Sequence, residues 1–151
     1  MSQSLVQIYL HIIFHIKPTS PKVQIEDQPL LFRYLFGSVK QMGGQPLNIG
    51  GTDNHIHILC TLPKTLTVPE FVKRIKYSSH KYIVSLSGNY RSFSWQNGYA
   101  AFSVSSSLLE KVGNYIQNQA EHHKKRTFEE EYLLLLKHYH VDYDERYVFV
   151  D

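Results

Sequence analysis

Between residues 4 and 16 the chain alternates: Val6, Ile8, Leu10, Ile12, Phe14 and Ile16 fall on one side, and Gln7, Tyr9, His11 and His15 on the other. Successive side chains of an extended strand point to opposite faces, so a period of two predicts a half-buried strand here and excludes a helix. From about 27 to 42 the period changes. Leu31, Tyr34, Leu35 and Val39 recur at helical spacing, and Gly43-Gly44 offers the left-handed stop that helix ends favour. A short strand at 47–49, a turn at Gly50-Gly51-Thr52-Asp53 and a strand at 55–62 follow. Thr67-Val68-Pro69-Glu70 is a capping box that opens a helix to about 86, closed by Gly88-Asn89. Residues 92–103, centred on Asn97-Gly98, read as a hairpin, because Asn-Gly suits the positive φ angles of a tight turn. Two more capping boxes, Ser107-Leu108-Leu109-Glu110 and Thr127-Phe128-Glu129-Glu130, begin expected helices at 108–125 and 128–139. The aromatic, charged tail 141–151 is expected to pack as an extended arm.

The order is β-α-β-β-α-β with two helices appended. It matches the ferredoxin-like, RRM-like α+β plan: an antiparallel sheet with helices on one face, the other left free for a ligand or a second subunit. At 151 residues and 42% apolar composition the chain makes one domain, 1–151, with no room for a second of ordinary size. A single cysteine permits no internal disulfide and no CxxC zinc cage. No apolar run of about eighteen residues occurs, and the N-terminus has no basic leader with a small-residue cleavage site. The expectation is a soluble, cytoplasmic protein. A net charge of +3 is compatible with a polyanionic partner without demanding one.

Two patterns carry chemistry. In Asp53-Asn54-His55-Ile56-His57-Ile58-Leu59-Cys60, alternation puts His55 and His57 on one face and Ile56, Ile58 and Cys60 on the other. Their Cα atoms stand roughly 7 Å apart, close enough for both imidazoles to converge on one divalent ion. Taken alone, such a pair is more often the polar face of a strand. In the helix after Ser107, Tyr115 and Gln119 are four residues apart on one face, beside an apolar stripe of Leu109, Val112 and Ile116. A tyrosine beside such a stripe is usually a boundary residue of the core.

The two patterns together, in this order, resemble the single-tyrosine HUH transposases of simple bacterial insertion sequences and their relatives associated with repetitive extragenic palindromes. The resemblance runs through 51–59, through 95–105 (Trp95 to Ser105), through Tyr115-Ile116-Gln117-Asn118-Gln119-Ala120-Glu121-His122-His123, and through Tyr143-Asp144-Glu145-Arg146-Tyr147. It implies Tyr115 as nucleophile and His55, His57 and Gln119 as ligands of Mg²⁺ or Mn²⁺. It further implies a homodimer, in which the tyrosine helix can serve the partner's His pair, acting on single-stranded DNA beside a hairpin, through a 5′-phosphotyrosine, in the nucleoid. Two imidazoles and an amide lack thiolate and leave open positions, which suits a hard octahedral ion better than zinc.

Other residues are candidates for DNA contact. His122, His123, Lys124, Lys125 and Arg126 end the tyrosine helix, where a solvated basic end complementing the helix dipole is an equal reading. Lys73, Arg74, Lys76 and Lys81 could line a groove or simply form a charged outer face; Trp95, Tyr99 and Phe102 could stack on bases or pack inside. His11 could neighbour the His pair, though a structural use is the commoner one, and Cys60 reads as core. Three rivals stay in view: a domesticated palindrome-processing relative with the same chemistry, a non-catalytic RRM-like nucleic-acid-binding module, and a dimeric small-ligand domain. The RRM reading lacks its aromatic signature on the central strands.

Overall fold

The structure, a computed structural model, describes residues 2–149. Strands β1 (Tyr9–His15), β2 (Pro46–Gly51), β3 (His55–Thr61) and β4 (Ala100–Ser103) form a sheet of order β2-β3-β1-β4. Every neighbouring pair is antiparallel. This is the expected ferredoxin-like arrangement. Helices α1 (Gln28–Gln41) and α2 (Val68–Leu86) cover one face, where Leu10, Ile12 and Phe14 meet Leu31, Leu35, Phe71 and Ile75.

The second face is not free. Helices α3 (Leu109–Gln117), α4 (Gln119–His122) and α5 (Phe128–His138) lie over it. There Leu59 packs with Ile116 and Val104, and Ile13 packs with Phe102, Phe128, Tyr132 and Leu136. As a result β3 is buried along its whole length, and β1 in all but Tyr9. Along β1 the alternation therefore separates two kinds of interior, one apolar and one where His11 and His15 flank Ile13, and not an interior and a wet surface. Residues 4–8 precede the strand and are exposed.

The expected hairpin at 92–103 does not form. Both of its arms pair with β1: Trp95 bridges Ile16, Gln96 N–H donates to the His15 carbonyl at 2.8 Å, and β4 continues from Ala100 opposite Ile13. The residues between are looped out, and the carbonyls of Gln96, Asn97 and Gly98 all accept from Lys76 Nζ within 3.2 Å. Among the described residues only Gly43 (φ 97°) and His140 (φ 57°) have positive φ, so Gly98 does not supply the expected turn. Lysine coordination of three carbonyls replaces it.

Other boundaries also move. Gly50 and Gly51 belong to β2, and the turn begins after them. Thr67 and Thr127 cap their helices as expected, accepting from the Glu70 and Glu130 amides. Ser107 does not cap; Ser105 caps a short 3₁₀ turn instead, and α3 begins at Leu109 without a side-chain cap. The expected 108–125 helix breaks at Asn118 (φ −100°, ψ 23°) into α3 and α4. The tail folds back in turns at 144–148 rather than lying extended, with Phe149 against His15 and Tyr132; residues 150–151 lie outside the described residues.

Two glycines set the seat of α3. A Cβ at Gly50 would stand 2.5 Å from the Ile116 carbonyl oxygen, and one at Gly113 would stand 2.4 Å from Asn48 Nδ2. The helix backbone thus rests directly on β2, which fixes its height over the sheet. Gly50→Ala is expected to cost roughly 1–3 kcal/mol through overpacking. Gly88→Ala, where a Cβ meets nothing within 4 Å, is the control, and urea midpoints of the two variants distinguish them.

Candidate metal and nucleophile centre

Strand parity and register bring His55 and His57 to the second face, where Tyr115, Gln119 and Glu131 from the covering helices meet them. His15 lies opposite His55 and Ile13 opposite His57, so the histidines of β1 and β3 share that face. His55, His57 and Gln119 are each no more than 1% exposed, and Glu131 is 4% exposed. The His55 Nδ1 side is held by Thr52 Oγ1 at 2.9 Å and Asn54 Oδ1 at 2.8 Å. Its Nε2 therefore points inward, 2.8 Å from Gln119 Oε1 and 3.7 Å from Glu131 Oε1. His57 Nε2 lies 3.1 Å from the same Glu131 oxygen. Gln119 donates its Nε2 to Glu131 Oε2 at 3.2 Å, and the Tyr115 hydroxyl donates to that oxygen as well.

Because α3 ends at Gln117 and the chain turns at Asn118, Tyr115 and Gln119 do not share one helix. They still converge, since both side chains reach Glu131. Glu131 escaped the sequence reading. It sits in the run Glu129-Glu130-Glu131 at a helix start, where acidic residues normally complement the dipole. The available signal was its position in α5: three residues after Phe128 and one before Tyr132, inside the apolar stripe that continues at Leu136. A carboxylate in a buried stripe needs partners.

His123 is half-buried, its Nε2 3.2 Å from Gln119 Oε1 and 3.4 Å from Glu131 Oε1, so a third imidazole borders the centre. His122 lies against the Tyr115 ring, tilted by 34° with centroids 4.8 Å apart. Lys125 and Arg126 line a cleft of about 150 Å³ that opens beside Tyr115, while Lys124 pairs with Glu121 at the surface. Lys73 is exposed on α2, a helix of the opposite face. Two further candidates are engaged within the fold. Lys76 is committed to the 96–98 carbonyls and lies over the Phe14 ring. Trp95 is buried edge-on between Phe14 and Phe93, its indole N–H donating to Ser79, so it presents no ring for base stacking. Phe102 is likewise buried and stacked on Tyr139.

Burial, then the proximity of His57, lowers the pKa of both His11 and His55 to about 3, so these imidazoles are neutral. Neutral imidazole is the form that ligates a metal. Burial alone would raise Glu131, but hydrogen bonds and charge from His57, then Tyr115, outweigh it and hold the carboxylate below its usual range. Burial, followed by the bond to Glu131, pushes the Tyr115 phenol well above its ordinary value. His55, His57 and Glu131 can each turn one ligand atom into a space less than 4.8 Å across. Two imidazole nitrogens, a carboxylate oxygen and the Gln119 amide oxygen form a donor set that fits a divalent cation.

The sequence matches the model of the IS200-like transposases over residues 4–119. The chain belongs to the IS200-like transposase family. These are the single-tyrosine transposases that its motifs resembled. A crystal structure of a protein assigned as a transposase from Deinococcus radiodurans R1 superposes with a TM-score of 0.60 at 20% identity, covering 79% of this chain and 98% of that one. A REP-associated tyrosine transposase bound to a REP hairpin gives 0.58 at 12% identity, covering 82% and 74%. At these identities the likeness is one of fold. No curated protein matches the sequence. The family match ends at Gln119, so Glu131 and the basic segment 122–126 of this transposase lie beyond it. No helix among its described residues is long and apolar enough to cross a membrane.

The neutral imidazoles make stability pH-dependent. His11 and His55 titrate near 3 when folded and near 6.5 when open to water. Below about 6.5 the unfolded chain binds protons that the folded chain refuses, so the stabilisation is full above that value and is lost on acidification. Glu131, with its lowered pKa, acts in the same direction. The thermal midpoint of metal-free protein is expected to fall steadily from about pH 7 to pH 4; a flat profile would contradict the burial of neutral histidines.

Proposed function

We propose that this transposase cuts and rejoins single-stranded DNA at hairpin-bearing ends, with Tyr115 as nucleophile and Mg²⁺ or Mn²⁺ held by His55, His57 and Gln119. Glu131 is added here as a further oxygen donor. One observation carries the reading: the Tyr115 hydroxyl and both His Nε2 atoms converge on opposite oxygens of a single carboxylate. The nucleophile is thereby tied to the ligand set at a distance of one side chain. When bound, the ion would polarise the scissile phosphate and offset its charge.

Everything else is the work of the chain. Tyr115 Oη attacks phosphorus, the bond from phosphorus to the 3′ oxygen breaks, and a 5′-phosphotyrosine forms. The phenolic proton already rests on a hydrogen bond to Glu131 Oε2, which is the acceptor in place as Oη attacks. The departing 3′ oxygen takes a proton and leaves as a hydroxyl. A second 3′-OH reverses the step on another end, so strands are exchanged without ATP. Lys125, Arg126 and His122 border the open side of Tyr115, and the lysine and arginine supply positive charge where the phosphodiester would enter. The hairpin in the complex of the REP-associated relative supports a hairpin as the partner. Tyr115, His55, His57, Gln119 and Glu131 of one chain meet at the centre; the homodimer implied by the family would bring two such centres together.

A labelled single strand carrying a hairpin from the DNA flanking its own coding sequence, incubated with Mg²⁺ or Mn²⁺, is expected to give a covalent protein–DNA adduct. Tyr115→Phe removes the attacking oxygen and should give none, and a chelator should abolish it in the wild type. Binding without adduct in both metals, across several flanking hairpins, would sink the proposal. Mixing Tyr115→Phe with His57→Ala chains should not restore the adduct, because the tyrosine serves the histidines of its own chain; recovery would mean that helices are exchanged between subunits.

A further inference from the structure

His11 is the least exposed polar side chain of β1, at 1%, and no part of the cut-and-join step calls on it. Its Nε2 lies 2.8 Å from His57 Nδ1. It reaches that atom diagonally across the sheet, from a register position opposite Leu59. Its own Nδ1 is buried and has no hydrogen-bond partner. The rest of the ring sits edge-on to Phe102 and Tyr115. A group buried at such cost, with one nitrogen left unsatisfied, is held there by what its other nitrogen does.

Only one proton can lie between the two rings, and its owner decides what His57 shows to the centre. If His11 Nε2–H donates, His57 keeps its proton on Nε2 and presents it to Glu131 Oε1, 3.1 Å away. If His57 Nδ1–H donates, Nε2 offers a lone pair. A metal-ligating histidine needs the second arrangement, with an outer partner accepting from its far nitrogen. For His55 the outer partners are Thr52 and Asn54; for His57 the partner is an imidazole, which can take either role.

We propose that His11 is the positioning residue for His57: it lets His57 present an N–H to Glu131 in the metal-free protein and a lone pair when the cation is bound. On loading, the proton of His11 Nε2 passes to His57 Nδ1, His57 Nε2 gives its proton up to solvent and His11 Nδ1 takes one from solvent, so no net proton is gained or lost. This rests on the metal reading above, and deepens it by assigning a residue that lies outside the ligand set.

The test uses the full chain and the ions alone. Mn²⁺ affinity is measured by calorimetry for wild type, His11→Leu and His11→Gln, with thermal melts of the metal-free forms. The Gln amide oxygen occupies the place of His Nε2 and can accept from His57, whereas Leu cannot. His11→Leu is expected to weaken Mn²⁺ roughly 10- to 100-fold, and His11→Gln to recover most of that loss. In wild type, ¹⁵N shifts of His57 should move from the Nε2–H to the Nδ1–H tautomer on adding Mg²⁺; this readout stands even where His11→Leu does not fold. Unchanged ¹⁵N shifts in protein that binds Mg²⁺, or a folded His11→Leu that binds Mn²⁺ as wild type does, overturns the role of His11 alone. Wild-type protein that binds neither ion overturns it together with the metal reading.

Discussion

Glu131 is the group on which the second half of the structure depends. A carboxylate taken out of water is costly unless its charge and lone pairs are answered by donors. Here they are answered from three directions: His57 from the sheet, Tyr115 from α3 and Gln119 from the segment after the Asn118 break. Each donor is on a different element, so satisfying one carboxylate locks α5, α3 and β3 to each other. The apolar side of α5, with Phe128, Tyr132 and Leu136, supplies the burial that holds the helix down. The polar centre supplies its register.

The scaffold beneath that centre is stiff because both central strands are covered on both faces. On the α1 and α2 side the contacts are aliphatic and aromatic throughout. On the other side apolar packing flanks a polar patch, with Leu59 and Ile116 on one flank and Ile13 and Phe128 on the other. Low exposure then does chemical work: neutral imidazoles, an ionised carboxylate and a protonated phenol follow from the same dry surroundings and the same few hydrogen bonds. The side left open is the one where Lys125 and Arg126 gather, so access and positive charge coincide.

Much of the fold was legible because it depends on local signals. The alternation along β1, the left-handed Gly43, and the Thr67 and Thr127 caps each act within a few residues. What failed depended on partners distant in sequence. Asn97-Gly98 carries a hairpin signal, but β1 offers one continuous edge to both arms, and Lys76 from α2 gathers the loop carbonyls. Trp95 was open to base stacking or to packing inside, and Lys76 to a groove or a charged outer face; the tertiary contacts put the Trp95 ring in the interior and the Lys76 ammonium on the loop carbonyls. Glu131 was hidden among neighbouring glutamates, since nothing local separates a dipole-complementing carboxylate from one aimed inward.

The sequence by itself determined that this chain forms a βαββαβ sheet and that His55 and His57 share a face, because period and parity are properties of the backbone. It also carried the motifs that mark an IS200-like transposase. Only the tertiary structure decided that this face is interior, that the tyrosine helix breaks before Gln119, and that a glutamate twelve residues further on closes the centre. It also brought His11 to the back of His57. Those outcomes turn on which elements cover the sheet and how closely they approach it, and a backbone resting on glycine at Gly50 cannot be read from glycine alone.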